Sequence, residues 1–180
     1  RAQALTHRGW SMRQVGALPE ADSMYQAALD LIDPPDAAPD EALMALLGLA
    51  NVSIDRFEIA RADSLLTVAA ALAEAMDTPA GQARLADMHQ LVAQNYAAQS
   101  RFSEAEAAFD QAVRHGELAH GRVNAAQMMI VNNFASFLSA IGRYPKADSL
   151  FQEAAHISVQ LYGDTPRIDR VAIYHAWASN

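Results

Sequence analysis

Gly142-Arg143-Tyr144-Pro145-Lys146-Ala147-Asp148-Ser149-Leu150-Phe151-Gln152-Glu153-Ala154 is the stretch on which the fold of this 180-residue chain turns. Its pattern of small and large side chains recurs three times upstream. Ala147-Asp148-Ser149-Leu150-Phe151 corresponds to Ala21-Asp22-Ser23-Met24-Tyr25, Ala62-Asp63-Ser64-Leu65-Leu66 and Ala105-Glu106-Ala107-Ala108-Phe109, with starts 41, 43 and 42 residues apart. Four residues after each opening alanine stands a large side chain (Tyr25, Leu66, Phe109, Phe151), and seven after it another alanine (Ala28, Ala69, Ala112, Ala154). Three before it comes Leu18, Ile59, Phe102 or Tyr144, and twelve before it a small residue, Gly9, Ala50, Ala93 or Ala135. A fixed period carrying a fixed size pattern means stacked supersecondary units.

Offsets of four and seven place the alanines and the large side chain on one face of a helix. The preceding stretch of each unit repeats its own apolar residues, as in Leu46, Leu49, Ala50 and Ser53 or Val131, Phe134, Ala135 and Leu138, and is a second helix. Turn signals separate the two: Gly16-Ala17-Leu18-Pro19, Ser100-Arg101-Phe102-Ser103 and Gly142-Arg143-Tyr144-Pro145. Pro19 and Pro145 fall in a first helical turn, where no intrahelical N–H bond is lost. Ser103 with Glu106 reads as a capping box, and Thr78-Pro79 and Thr165-Pro166 as capped helix starts. The spacing predicts helices over 2–15, 20–32, 40–55, 59–76, 79–98, 103–118, 121–140, 145–162 and 166–179, and no strand. The proline-rich stretch 33–39 is short enough to be an inter-repeat loop. The expected architecture is all-α: one solenoid of hairpins spanning 1–180, with units at 2–37, 39–77, 78–120 and 121–164 and the first helix of a fifth at 165–180.

Composition narrows function. Hydrophobic residues make up 52% of the chain but aromatics only 7%, so small side chains carry much of the core and helices must approach closely. Thirteen basic against 21 acidic residues give a net charge of −8, which repels phosphate and argues against direct nucleic-acid binding. No run is long and apolar enough to span a membrane, and none reads as a signal peptide, so no membrane contact is expected. The absence of cysteine excludes a disulfide framework and a thiolate zinc site. It leaves the compartment open, with the cytoplasm favoured. A first residue of Arg1 suggests a piece cut from a longer protein.

The constellation of Ala135, Gly142-Arg143-Tyr144, Ala147, Phe151 and Ala154 resembles the tetratricopeptide repeat, in the elongated form similar to kinesin light chain repeats. The first unit departs most, carrying Arg8 where the others have Leu49, Val92 or Phe134. The resemblance implies a right-handed superhelix whose first helices line a concave face that binds a protein or extended peptide, without catalysis. It also implies an alternative: a regulatory or dimerisation region of a larger multidomain bacterial protein, such as a serine/threonine kinase, a transcriptional regulator or a CHAT-type protease. A homodimer or an intramolecular partner domain would then be the partner, and apolar residues such as Ile173 and Trp177 on the last helix would serve it.

Residues just off the packing stripe of each first helix project the concave face. They are Gln3, Thr6, Trp10 and Arg13; Met44, Leu47 and Asn51; Asp87, Gln90 and Gln94; Met129, Asn132 and Ser136; and Tyr174. Amides there suit a peptide backbone, and Trp10 and the methionines suit its side chains. A terminal-carboxylate clamp of the kind some family members use is not expected, because the one lysine, Lys146, lies in a turn and Arg13 is the one cation on this face. His7, His89, His115, His120, His156 and His175 lack metal-ligand spacing, and no nucleophile or phosphate-binding motif is present. No catalytic residue, metal or cofactor is expected, and the histidines should be solvated or half-buried.

Overall fold

The structure is a computed structural model and describes residues 1–32 and 34–163. The helix expected over 166–179, with Ile173, Tyr174 and Trp177, lies outside the described residues. Eight α-helices and no strand occur among the described residues: α1 (Ala2–Gln14), α2 (Leu18–Asp30), α3 (Pro39–Asp55), α4 (Ile59–Ala75), α5 (Pro79–Ala98), α6 (Phe102–His120), α7 (Ala125–Ala140) and α8 (Tyr144–Tyr162). The proline-rich connection contains one 3₁₀ turn, Pro35–Ala37. Helices pair as α1/α2, α3/α4, α5/α6 and α7/α8, each hairpin packs on the next, and hairpins further apart make no extended contact among the described residues. That is an α-solenoid.

The recurring residues are what the hairpins pack with. Gly9 is buried, and Ala50, Ala93 and Ala135 are fully so, as are Ala21, Ala62, Ala105 and Ala147. Small residues at these crossings let helix axes approach towards the lower end of about 8–10 Å, and Tyr25, Leu66, Phe109 and Phe151 fill the space alongside. Leu29 and Leu65 pack on both the first and second core clusters, and Val92 on both the second and third, so the core runs continuously along the rod. Polar bridges repeat at nearly the same period: Arg13 to Asp55, Arg84 to Asp40, Asn133 to Gln90 and Lys146 to Glu106 each tie one unit to the next.

Several helix ends shift by one or two residues from the sequence reading, α2 spanning Leu18–Asp30 instead of 20–32, and two starts differ for a local physical reason. Helix α7 starts at Ala125 rather than at residue 121, because Gly121 has φ +77° and ends α6, and the Asn124 side chain accepts from the Ala126 N–H as the cap. The Ser103–Glu106 capping box does not form. Helix α6 already begins at Phe102 with Arg101 at the N-cap position and no side-chain cap, and Arg101 pairs with Glu104. Thr78 does cap α5, accepting from the Gly81 N–H at 3.1 Å.

The turn inside each hairpin fixes those starts. Gly16, Phe57, Ser100 and Gly142 sit at equivalent positions with φ of 77°, 57°, 59° and 77°. Each N–H returns to a carbonyl three residues back, and the next N–H to one five back, for example Phe57 to Ile54 and Glu58 to Ser53. This is the Schellman arrangement that satisfies the last carbonyls of the first helix. Phe57 therefore holds a left-handed conformation costing about 1–2 kcal/mol for a non-glycine residue, while its side chain is 75% exposed and packs little. Phe57→Gly should stabilise the chain by roughly 0.5–1 kcal/mol once the greater freedom of unfolded glycine is subtracted. A urea titration reads this as a higher midpoint at unchanged slope.

Candidate functional site

The first helices of the first three hairpins bend round one cavity of about 320 Å³, which makes their shared face concave. Thr6 and Trp10 reach it from α1, Met44, Leu47 and Asn51 from α3, and Asp87, Gln90 and Gln94 from α5. A second cavity of about 470 Å³ opens where α5 and α7 separate, with Met129 and Asn133 on its far wall. Arg84, Asp87 and Gln90 line both cavities, so the two adjoin as halves of one grooved face with these side chains between them. Its apolar ends stand out into solvent: Trp10 is 59% and Met129 62% exposed.

Four other residues projected onto this face line neither cavity. Neither cavity includes Gln3, which is exposed, or Arg13, which pairs with Asp55 through Nε at 2.6 Å. Asn132 and Ser136 fall outside as well: Ser136 Oγ donates to the Asn132 carbonyl, and the Asn132 Oδ1 is buried without a partner. On α7 it is Asn133 that faces α5, donating to Gln90 Oε1 at 3.0 Å. Tyr174 is outside the described residues.

The groove also contains residues that the projection missed. Tyr25 comes from a second helix, α2, and passes between Gly9 and Gly48, where a Cβ at either position would crowd its ring. Arg84 forms the floor, with Nε 2.7 Å from Asp40 Oδ1 and Nη1 3.2 Å from Asp87 Oδ2. Burial opposes the Arg84 charge, but the hydrogen bond and charge of Asp40, with those of Asp87, outweigh it and raise its pKa. The pKa of the Asp87 carboxyl is raised: partial desolvation disfavours the anion more than Arg84 and His120 favour it. The signal for the Arg84–Asp40 pair was present in its separation of 44 residues, close to one repeat.

Away from the groove, His89 on α5 and His115 on α6 stack with ring centroids 5.1 Å apart, and His115 Nδ1 lies 2.7 Å from Gln82 Oε1. Parallel rings do not converge on an ion, and no group of three or more His, Asp or Glu among the described residues is placed to hold one. Burial, then the neighbouring His115, pushes His89 down to about 4, and burial lowers His115. Both folded pKa values lie below the unfolded one of about 6.5. The unfolded chain therefore takes up protons first, and stability that is full above about pH 6.5 declines as pH falls towards 4. After a discount for partial exposure the decline assignable to His89 is on the order of 2 kcal/mol. His89→Gln should flatten the change in urea midpoint between about pH 6.5 and pH 5.

Residues 128–167 match the family model described as Tetratricopeptide repeat. No curated protein matches the chain in sequence. Among solved structures, the kinesin light chain TPR-like repeats of Podosopora anserina superpose with a TM-score of 0.74 at 18% identity, covering 99% of this chain and 84% of that one. A singly substituted form of those repeats gives a TM-score of 0.75 at the same identity and coverage. The wider identity is too low to carry more than a fold, and on the fold the size pattern, turn geometry and superposition agree: this chain is an α-solenoid of helical hairpins similar in fold to TPR-like repeats, and its residues 128–167 match a tetratricopeptide repeat in sequence.

Proposed function

We propose that the chain is a scaffold that binds a protein or an extended peptide along the concave face of α1, α3, α5 and α7, and performs no catalysis of its own. The observation that carries this reading is the pair of adjoining cavities that share Arg84, Asp87 and Gln90, with exposed Trp10 lining one and exposed Met129 the other. Large exposed apolar side chains beside polar walls are what a binding surface needs: anchors to desolvate and hydrogen-bonding groups to fix orientation. The best-conditioned test is a peptide array probed with the native chain and with Trp10→Ala, Gln90→Ala and Asn132→Ala. Trp10→Ala and Gln90→Ala should weaken the captured peptides, and Asn132→Ala, outside both cavities, should not. Captured peptides indifferent to both groove substitutions would overturn the concave-face reading.

A further inference from the structure

The two cavities are joined by charge as well as by shape. Arg84 and Asp87 line both and Asp40 lines the second, and the three form a triad in which one guanidinium serves two carboxylates. Arg84 spends Nε and Nη2 on the two oxygens of Asp40, at 2.7 and 3.4 Å, and only the longer Nη1 contact of 3.2 Å on Asp87. Among the described residues no other lysine or arginine lines either cavity. The triad carries a net formal charge of −1 where the two cavities adjoin. Asp87 is the less satisfied of the two carboxylates, and its side chain is half-exposed to the groove. Its raised pKa has the same origin, an anion held in a concavity with incomplete compensation. On either side lie the apolar residues, Trp10 and Met44 in one cavity and Met129 in the other, so the pattern along the groove is apolar, acidic, apolar.

We propose that the occupant of this groove is an extended peptide segment with a lysine or arginine flanked by large apolar residues, its cation seated on Asp87 and its apolar side chains on Trp10–Met44 and on Met129. This rests on the concave-face reading and adds the ligand's chemistry to it. The cation completes a second partner for Asp87 and neutralises the triad, whereas an acidic residue in its place meets an uncompensated carboxylate. Such repulsion gives selectivity as well as attraction does. On the walls, Gln94 and the Nε2 of Gln90, whose Oε1 accepts from Asn133, are placed to bond the peptide backbone.

Fluorescein-labelled synthetic peptides with the core Leu-Ala-X-Ala-Leu, where X is Lys, Gln or Glu, test this by polarisation against the native chain. The lysine peptide should bind about 10-fold more tightly than the glutamate peptide at low salt, and the difference should shrink as salt is raised. Asp87→Asn should bring the two within about 3-fold of one another. Gln90→Lys, which supplies a cation from the protein itself, should do the same, and covers the case in which Asp87→Asn fails to fold. Equal affinity for the three peptides, with Trp10→Ala weakening them all, would overturn the cationic assignment and leave the groove intact. A lysine preference surviving both variants would place the cation elsewhere and also overturn it. If Trp10→Ala changes no affinity, the concave-face reading itself fails.

Discussion

Phe151→Ala should lower the stability of the chain by about 3–5 kcal/mol, the usual range for removing a fully buried ring. Phe151 has no exposed surface and packs in the cluster that contains Phe134, Leu138, Ala147 and Ala154. These neighbours belong to two helices held by their own hydrogen bonds, so they cannot close over the missing ring and a cavity remains. Stability in a solenoid is close to a sum of unit terms and nearest-neighbour interfaces, which makes the loss local. Hydrogen exchange should therefore show the backbone amides of α7 and α8 losing protection first, while α1 and α2, which make no extended contact with α8, change least. A thermal melt should move down by several degrees in parallel. Uniform loss of protection from α1 to α8 would mean that the chain unfolds as a single globular unit, contrary to the packing described.

What the sequence made legible is what depends on side-chain size at a fixed offset. Ala50, Ala93 and Ala135 reveal helix crossings because only small residues fit there, and Gly16 and Gly142 mark turns because glycine suits a positive φ. Phe57 and Ser100 hold the same left-handed conformation without glycine, so the turn geometry was hidden in two of the four units. Ser103 misled for a related reason: the Schellman turn at Ser100 fixes where α6 begins, and leaves the serine inside the first turn instead of at the cap. In the groove, the residues of α1, α3 and α5 could be projected because α1 packs on α3 and α3 on α5. Helix α7 makes no comparable contact with α5, and the face it turns to the cavity is that of Ala126, Met129, Ile130 and Asn133. Asn132 and Ser136 fall off it. The ion pairs were legible only as a separation of about one repeat, since a long arginine chooses among carboxylates by three-dimensional reach, and Arg84 selects Asp40 from the unit before its own.

Gly48→Ala should destabilise the chain by about 1–3 kcal/mol despite replacing glycine with the best helix former, whose propensity alone favours the change by about 1 kcal/mol. A Cβ at Gly48 would stand under 3.0 Å from three atoms of the Tyr25 ring, and the ring cannot retreat because Gly9 lies against it from α1 with a corresponding approach of 3.1 Å. The clash is with the body of a buried aromatic and not with the end of a flexible chain, so relief requires α1 and α3 to separate. One repeat later the same contact is solved with different sizes: Leu66 takes the place of Tyr25 and Leu91 that of Gly48, and both are buried in one cluster. Large ring with glycine and leucine with leucine are alternative fillings of one gap. It follows that Tyr25→Leu, which alone opens a cavity, should recover part of the loss when combined with Gly48→Ala. The measurement is a double-mutant cycle by urea denaturation, with a coupling energy of about 0.5–3 kcal/mol in the favourable direction. Additive effects of the two substitutions would show that Tyr25 does not occupy the space Gly48 leaves, and would remove the steric reason for a glycine in the middle of α3.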